Sequence, residues 1–311
     1  HNPGATKSRR WRDGNAVDYS MSPVTDTRKA GVVFIALSAI AFGSMAIFGK
    51  LAYVEGIRLD SLLFLRFAIA GGVMALWMLA TRQAWPRGRT LVGLMLMGGV
   101  GYVGQAWCYF TSLSYASAGL TAMLLYLFPA IVTVLHAFLS RRRLTGLRAG
   151  AVAAALIGTA LTVGGNAQGQ MLGIVFGVAA ALIYSVYIIA GERITAGVGA
   201  IPAATVIMLS AATTSALVVF SRGYTAPVTT MGWSAVLAIA LVCTVVAIVA
   251  FFAGLSRLGA PDASTLSTLE PVATIVLAAL FLGETILPLQ MLGGAIILAA
   301  AITLARYGKV H

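Results

Sequence analysis

The chain has 311 residues, 59% of them hydrophobic and 10% charged, with a net charge of +12 and a mean hydropathy of +0.93. An ordinary soluble domain carries about 25% charged residues. A soluble chain this apolar has too little polar surface to cover itself. A soluble globular protein is excluded, and lipid must be the solvent for most side chains between residues 31 and 305.

Residues 1–20 are polar and basic and lack an apolar stretch, so they do not read as a cleavable secretory signal. We take residues 1–30 as a polar basic tail, of which 1–20 carry no function. A bilayer core of about 30 Å needs about 20 apolar residues at about 1.5 Å each. Ten such runs follow, near 31–52, 61–80, 90–110, 117–139, 146–164, 172–191, 202–220, 233–255, 261–282 and 288–305. The connections are short, which predicts antiparallel neighbours. Residues 306–311 form a short closing tail.

Lysine and arginine are distributed unevenly among the connections. The N-terminal tail, the even-numbered loops and the C-terminal tail carry nearly all of them, including Arg82, Arg87, Arg89, Arg141, Arg142, Arg143, Arg148, Arg193, Arg257, Arg306 and Lys309. The odd-numbered loops hold only Arg58 and Arg222. By the positive-inside rule both termini are expected in the cytoplasm. The basic excess then reflects topology and attraction to anionic lipid, and nucleic acid is not an expected partner.

The two halves repeat at a constant offset of 142 residues. The segment Tyr109 to Ser114 falls on Phe251 to Ser256, Ala118 on Ala260, Leu127 on Leu269, Pro129 on Pro271, and Gly49 on Gly191. The first unit covers 31–172 and the second 173–305. Each holds five expected spans, and an odd number makes the second copy enter the membrane from the opposite side. The predicted fold is an all-α integral membrane protein of ten transmembrane helices, arranged as two inverted five-helix repeats.

Helices in lipid approach closely through small residues, and the chain has 34 glycines, among them Gly173 and Gly177, one helical turn apart. Gly99-Val-Gly101-Tyr-Val-Gly104 matches a dinucleotide fingerprint in letters only, because it lies inside a span rather than after a strand. Cys108 and Cys243 sit in apolar runs and read as small buried residues.

Several segments carry a family resemblance. Ala41-Phe-Gly43-Ser-Met-Ala-Ile-Phe-Gly-Lys50 resembles the first-helix signature of the EamA family of the drug/metabolite transporter superfamily, and Leu65-Arg66-Phe67-Ala68 resembles its second helix. Tyr115-Ala-Ser-Ala-Gly119 with Leu127-Phe-Pro129 is similar to the third-to-fourth helix pattern. Glu270-Pro271-Val272, Phe281-Leu-Gly283-Glu284 and Gly293-Gly-Ala-Ile-Ile-Leu298 resemble the closing pattern of the second repeat. One departure is Arg142, at a position where the first repeat usually carries an acid. The resemblance implies a secondary-active exporter of small metabolites, most similar to the YddG-type amino-acid exporters, and an inner-membrane location. Efflux of cationic or apolar foreign compounds is the alternative.

Ionisable groups inside a span are costly and mark candidate function. Glu270 lies about 12 Å into its span, and Pro271 beside it frees a backbone carbonyl. It is read either as a carboxylate for a substrate ammonium or proton, or as a protonated acid bonded to the disturbed backbone. Lys50 either snorkels to the interface or faces inward toward a substrate carboxylate. Arg66 is read as a brace for an outer loop or a carboxylate, and His136 as hydrogen-bonded structure. Tyr102, Trp107, Tyr126 and Tyr184 are candidates to line an apolar cavity, with Gln105 adding a neutral donor and acceptor. Tyr109 and Tyr187 belong to the same aromatic group, while Trp85, Tyr224 and Trp233 fit an interfacial belt. Pro129 and Pro271 are expected hinge points. No phosphate-binding loop, nucleophile triad or metal-ligand cluster is visible, so no cofactor, metal or enzymatic activity is expected. The expected partners are a small-molecule substrate and membrane lipid, and a monomer is compatible with the pattern.

Overall fold

A computed structural model describes residues 23–139, 141, 144–164, 171–195 and 197–307. The described residues are helical, with no strand. The helices are α1 (Pro23–Gly43), α2 (Met45–Val54), α3 (Leu59–Ala80), α4 (Gly88–Leu96), α5 (Val103–Tyr115), α6 (Ala118–Leu125), α7 (Phe128–Leu139), α8 (Gly146–Gly164), α9 (Met171–Ile194), α10 (Ala200–Arg222), α11 (Thr230–Leu237), α12 (Ala247–Leu258), α13 (Ala260–Ser267), α14 (Leu269–Leu282) and α15 (Pro288–Tyr307). Two π-helical stretches, Met97–Tyr102 and Ala238–Val246, join α4 to α5 and α11 to α12.

Nine helices among the described residues are long and apolar enough to cross a membrane. A shorter apolar helix, Gly146–Thr162, occupies the place of the fifth expected run. Large apolar side chains such as Phe220, Phe138, Leu280 and Val100 lie exposed on the outside of the bundle, as lipid contact requires. The departure at Arg142 falls on a residue outside the described ones, as do residues 1–20.

The packing repeats under the 142-residue offset. α1 packs on α12 and α9 on α5, and each pair maps onto the other. α3 packs on α10, and α8 on α15, each helix on its own repeat mate. Close approach explains the last pair: a Cβ on Gly158 would lie 2.7 Å from the Gly293 carbonyl oxygen. Lipid supplies no hydrophobic push between helices, so such small-residue contacts hold the bundle through van der Waals packing. The central core gathers Phe67, Phe110, Leu62, Leu113 and Ile239, all fully buried.

Besides a break at Ser44, four helix interruptions shape the middle of the bundle. The α6–α7 break at Tyr126–Leu127 and the α13–α14 break at Thr268 both lie just before a proline, Pro129 and Pro271. Proline removes a backbone donor and crowds the preceding turn, which accounts for both. The two π stretches also correspond under the offset, but no proline marks them.

The two ends of the bundle differ. On the face holding the start of α6, the Glu284 carboxylate accepts from the backbone N–H groups of Ala118 (2.7 Å) and Gly119 (3.3 Å). This adds to the N-cap bond that Ser117 makes to Leu120 N–H. Lys50 donates to the Ala116 carbonyl at 2.8 Å on the same face, and α6 packs on α14 there. Toward the opposite face, at α7 and α13, their continuations, the repeat mate of Glu284 is Arg142, which lies outside the described residues. The latch through Glu284 and Lys50 thus belongs to the face holding the start of α6.

Candidate functional site

The second proline break sets the chemistry. Pro271 has no N–H, so the Ser267 carbonyl four residues earlier loses its helical donor. The Tyr126 hydroxyl takes that place, 2.7 Å from Ser267 O, and lies 3.1 Å from Glu270 Oε2. A side chain from the first break therefore caps the second and holds its carboxylate. The Glu270 carbonyl accepts from Thr274 Oγ1 at 3.1 Å, and the same hydroxyl reaches Gly43 O at 2.9 Å. Gly43 is required for this approach, because a Cβ there would stand 2.7 Å from the Glu270 carbonyl oxygen. The first span is interrupted directly afterwards, at Ser44.

Aromatic rings run from this carboxylate into the bundle. Tyr126 meets Phe128 at 5.7 Å between centroids, Phe128 meets Tyr184 at 4.9 Å, Tyr184 stacks on Tyr187 at 6.1 Å, and Tyr187 meets Tyr102 at 5.9 Å. Edge-to-face and offset contacts of this kind stabilise a rigid wall. Three of the named cavity candidates, Tyr102, Tyr126 and Tyr184, belong to this one ladder.

The other candidates are placed differently. Trp107 packs edge-on against Phe176 of α9 at 5.7 Å and is not part of the ladder. Gln105 is buried in α5, and its amide has no hydrogen-bond partner among the described residues. Lys50 binds the Ala116 carbonyl at the latched face. Pro129 and Pro271 each follow a helix break. His136 is half-buried in α7, and Trp85, Tyr224 and Trp233 are exposed. A separate recess beside Glu284, between Ser117, Met123, Thr162, Ile275 and Gln290, contains neither Glu270 nor a tyrosine in its lining.

Sequence reasoning missed Phe128 as a wall residue. The signal was present: the 142-residue offset carries Phe128 onto Glu270, so the two stand at matching points of the two breaks. Among the described residues no group of three or more His, Cys, Asp or Glu is placed to hold a metal.

The EamA-like transporter family model matches the chain twice, at residues 29–164 and 171–306. The chain is 30% identical over 283 residues to "Uncharacterized transporter YcbK" of Bacillus subtilis (strain 168), covering 85% of this chain and 89% of that protein. It is 27% identical over 288 residues to an "Uncharacterized transporter" of Archaeoglobus fulgidus, covering 88% of this chain and 95% of the relative. A solved structure described only as "Crystal structure of protein" superposes with a TM-score of 0.60 at 23% identity, covering 91% of this chain and 99% of the other. At that identity the likeness concerns the fold alone. The repeated match across nearly the whole chain, with many apolar helices beneath it, makes this a multi-pass membrane protein that belongs to the EamA-like transporter family.

Proposed function

We propose that the chain is a ten-span, secondary-active carrier that exports small metabolites, amino acids first among them, across the bacterial inner membrane by alternating access. The units 31–172 and 173–305 are its two inverted repeats, and both tails face the cytoplasm. The supporting observation is the Tyr126–Glu270 pair: an intramembrane carboxylate, held by a residue of the other repeat, where two broken spans meet. Aromatic and other apolar amino acids suit the tyrosine ladder, and the Glu270 carboxylate suits their ammonium group. Tyr102, Tyr126, Tyr184, Gln105 and Trp107 are proposed to line the path, with Lys50 serving the face latched through Glu284. The breaks before Pro129 and Pro271 are the proposed hinges. With the tails in the cytoplasm, the latched face is the outer one.

A second reading, efflux of cationic or apolar foreign compounds, draws on the same carboxylate and rings. Proteoliposomes loaded with labelled phenylalanine, alanine and lysine separate the two. Outward flux of an amino acid, reduced in Glu270→Gln, supports export. No flux of any amino acid, together with Glu270-dependent movement of a lipophilic cation such as tetraphenylphosphonium, supports efflux.

A further inference from the structure

The most heavily buried charge in the described bundle has no counter-ion. Arg66 of α3 is 2% exposed. Asp60 pairs with Arg58 and Arg222, near the end of the bundle, and not with Arg66. Arg66 instead donates from Nε to Thr244 Oγ1 at 3.1 Å and from Nη2 to the Tyr102 hydroxyl at 2.8 Å. Its Nη1 has no hydrogen-bond partner among the described residues. The rings of Phe67, Tyr102 and Phe110 surround the guanidinium, with centroids 5.1, 5.6 and 5.8 Å from Cζ.

Three features separate this arrangement from an ordinary structural arginine. First, the two side chains it binds are repeat mates: the 142-residue offset carries Tyr102 onto Thr244. One arginine thus bridges matching points of the two halves. Second, both points lie in the π-helical stretches Met97–Tyr102 and Ala238–Val246, and π-bulges concentrate at functional sites. Third, both lie about 21 Å from the start of their spans at about 1.5 Å per residue, which is near the middle of Gly88–Tyr115 and Thr230–Leu258. Carriers bind substrate at that depth. A guanidinium there without an acid is expensive to maintain. Two neutral hydrogen bonds and three ring faces lower that cost without neutralising the charge.

We infer that Arg66 is the seat for an anionic group of the transported molecule, a carboxylate or a monoanion of like shape, which completes the guanidinium's pairing. The inference rests on the carrier reading for its meaning and names the substrate's second charge. The ladder Tyr102–Tyr187–Tyr184–Phe128–Tyr126 runs from Arg66 to Glu270. A carboxylate seated at Arg66 thus lies against the same aromatic wall that leads to Glu270. Arginine suits the first task because its planar fork matches a carboxylate, which a lysine ammonium does not.

The test uses the full chain in lipid nanodiscs, with four probes read by thermal shift and intrinsic fluorescence: benzoate against benzamide, and phenylalanine against phenethylamine. In the unaltered protein benzoate is expected to bind at least tenfold more tightly than its neutral isostere. Arg66→Gln is expected to lose at least tenfold for benzoate and phenylalanine while leaving phenethylamine unchanged. Arg66→Lys retains the charge and serves where the glutamine variant does not fold; it is expected to lose several-fold for the carboxylates alone. Equal binding of benzoate and benzamide by the unaltered protein overturns the inference, as does unaltered carboxylate binding in either variant. Arg66-dependent benzoate binding without amino-acid flux would remove the amino-acid reading and leave the anion seat standing. Amino-acid flux undiminished in Arg66→Gln would do the reverse.

Discussion

The two proline breaks share a local sequence and differ in the chemistry of one position. Leu127-Phe128-Pro129 and Leu269-Glu270-Pro271 match residue for residue except at the middle position. In the first break that position is a phenyl ring packed on Tyr126 and Tyr184. In the second it is a carboxylate on the Tyr126 hydroxyl. The neighbouring span differs in the same way. Gly43 touches the second break and its repeat mate Ser185 the first, 3.3 Å from the Phe128 carbonyl, but the first span is interrupted at Ser44 whereas α9 runs on unbroken. Duplication supplied two equivalent bends. One of them carries a charge and the other a ring packed on Tyr126 and Tyr184.

Replacing the charged member should have the largest effect. Glu270→Gln is expected to lower export by about tenfold or more, about 1.4 kcal/mol at the barrier, with expression maintained. Phe128→Leu at the matching position is expected to lower it only a few-fold. Equal effects in a flux assay would show that the breaks are not functionally distinct. Gly43→Ser puts the second repeat's residue into the first, and the added side chain meets the Glu270 backbone. Overpacking of this kind costs about 1–3 kcal/mol, readable as a lower unfolding temperature, whereas Ser185→Gly should be milder.

Tyr126→Phe removes the hydroxyl shared by Ser267 O and Glu270. Leaving such a buried acceptor unpaired costs about 1–3 kcal/mol, and transport should fall with stability. Unchanged stability would mean that another group caps Ser267. The smallest effect is expected at the latched face. Glu284→Gln weakens a charge-assisted cap on α6, a contribution of about 0.5–1 kcal/mol. Labelling of a cysteine placed at Ser117 should then quicken from the outside. No change in labelling would remove Glu284 as a latch.

Much of this was readable before the structure. The offset, the apolar runs and both prolines lie in the sequence, and so did the pairing of polar character with a helix distortion at Glu270. The facing of individual side chains did not. In a lipid-embedded bundle, exposed and buried positions are both apolar, so helical periodicity hardly separates the faces. Trp107 could not be told from Tyr184 as a cavity residue, yet the first turns to Phe176 and the second joins the ladder. Lys50 shows the same limit, since its engagement with Ala116 depends on a loop 66 residues away.

The sequence by itself determined a membrane solvent, the number and spacing of the apolar runs, and the duplication, because these follow from composition, run length and offset. Only the tertiary structure decided where Arg66 reaches. Its partner Thr244 is 178 residues distant, and the π turns that present Thr244 and Tyr102 carry no proline to mark them. A guanidinium between two repeats is a product of packing. No local preference encodes a contact made across most of the chain.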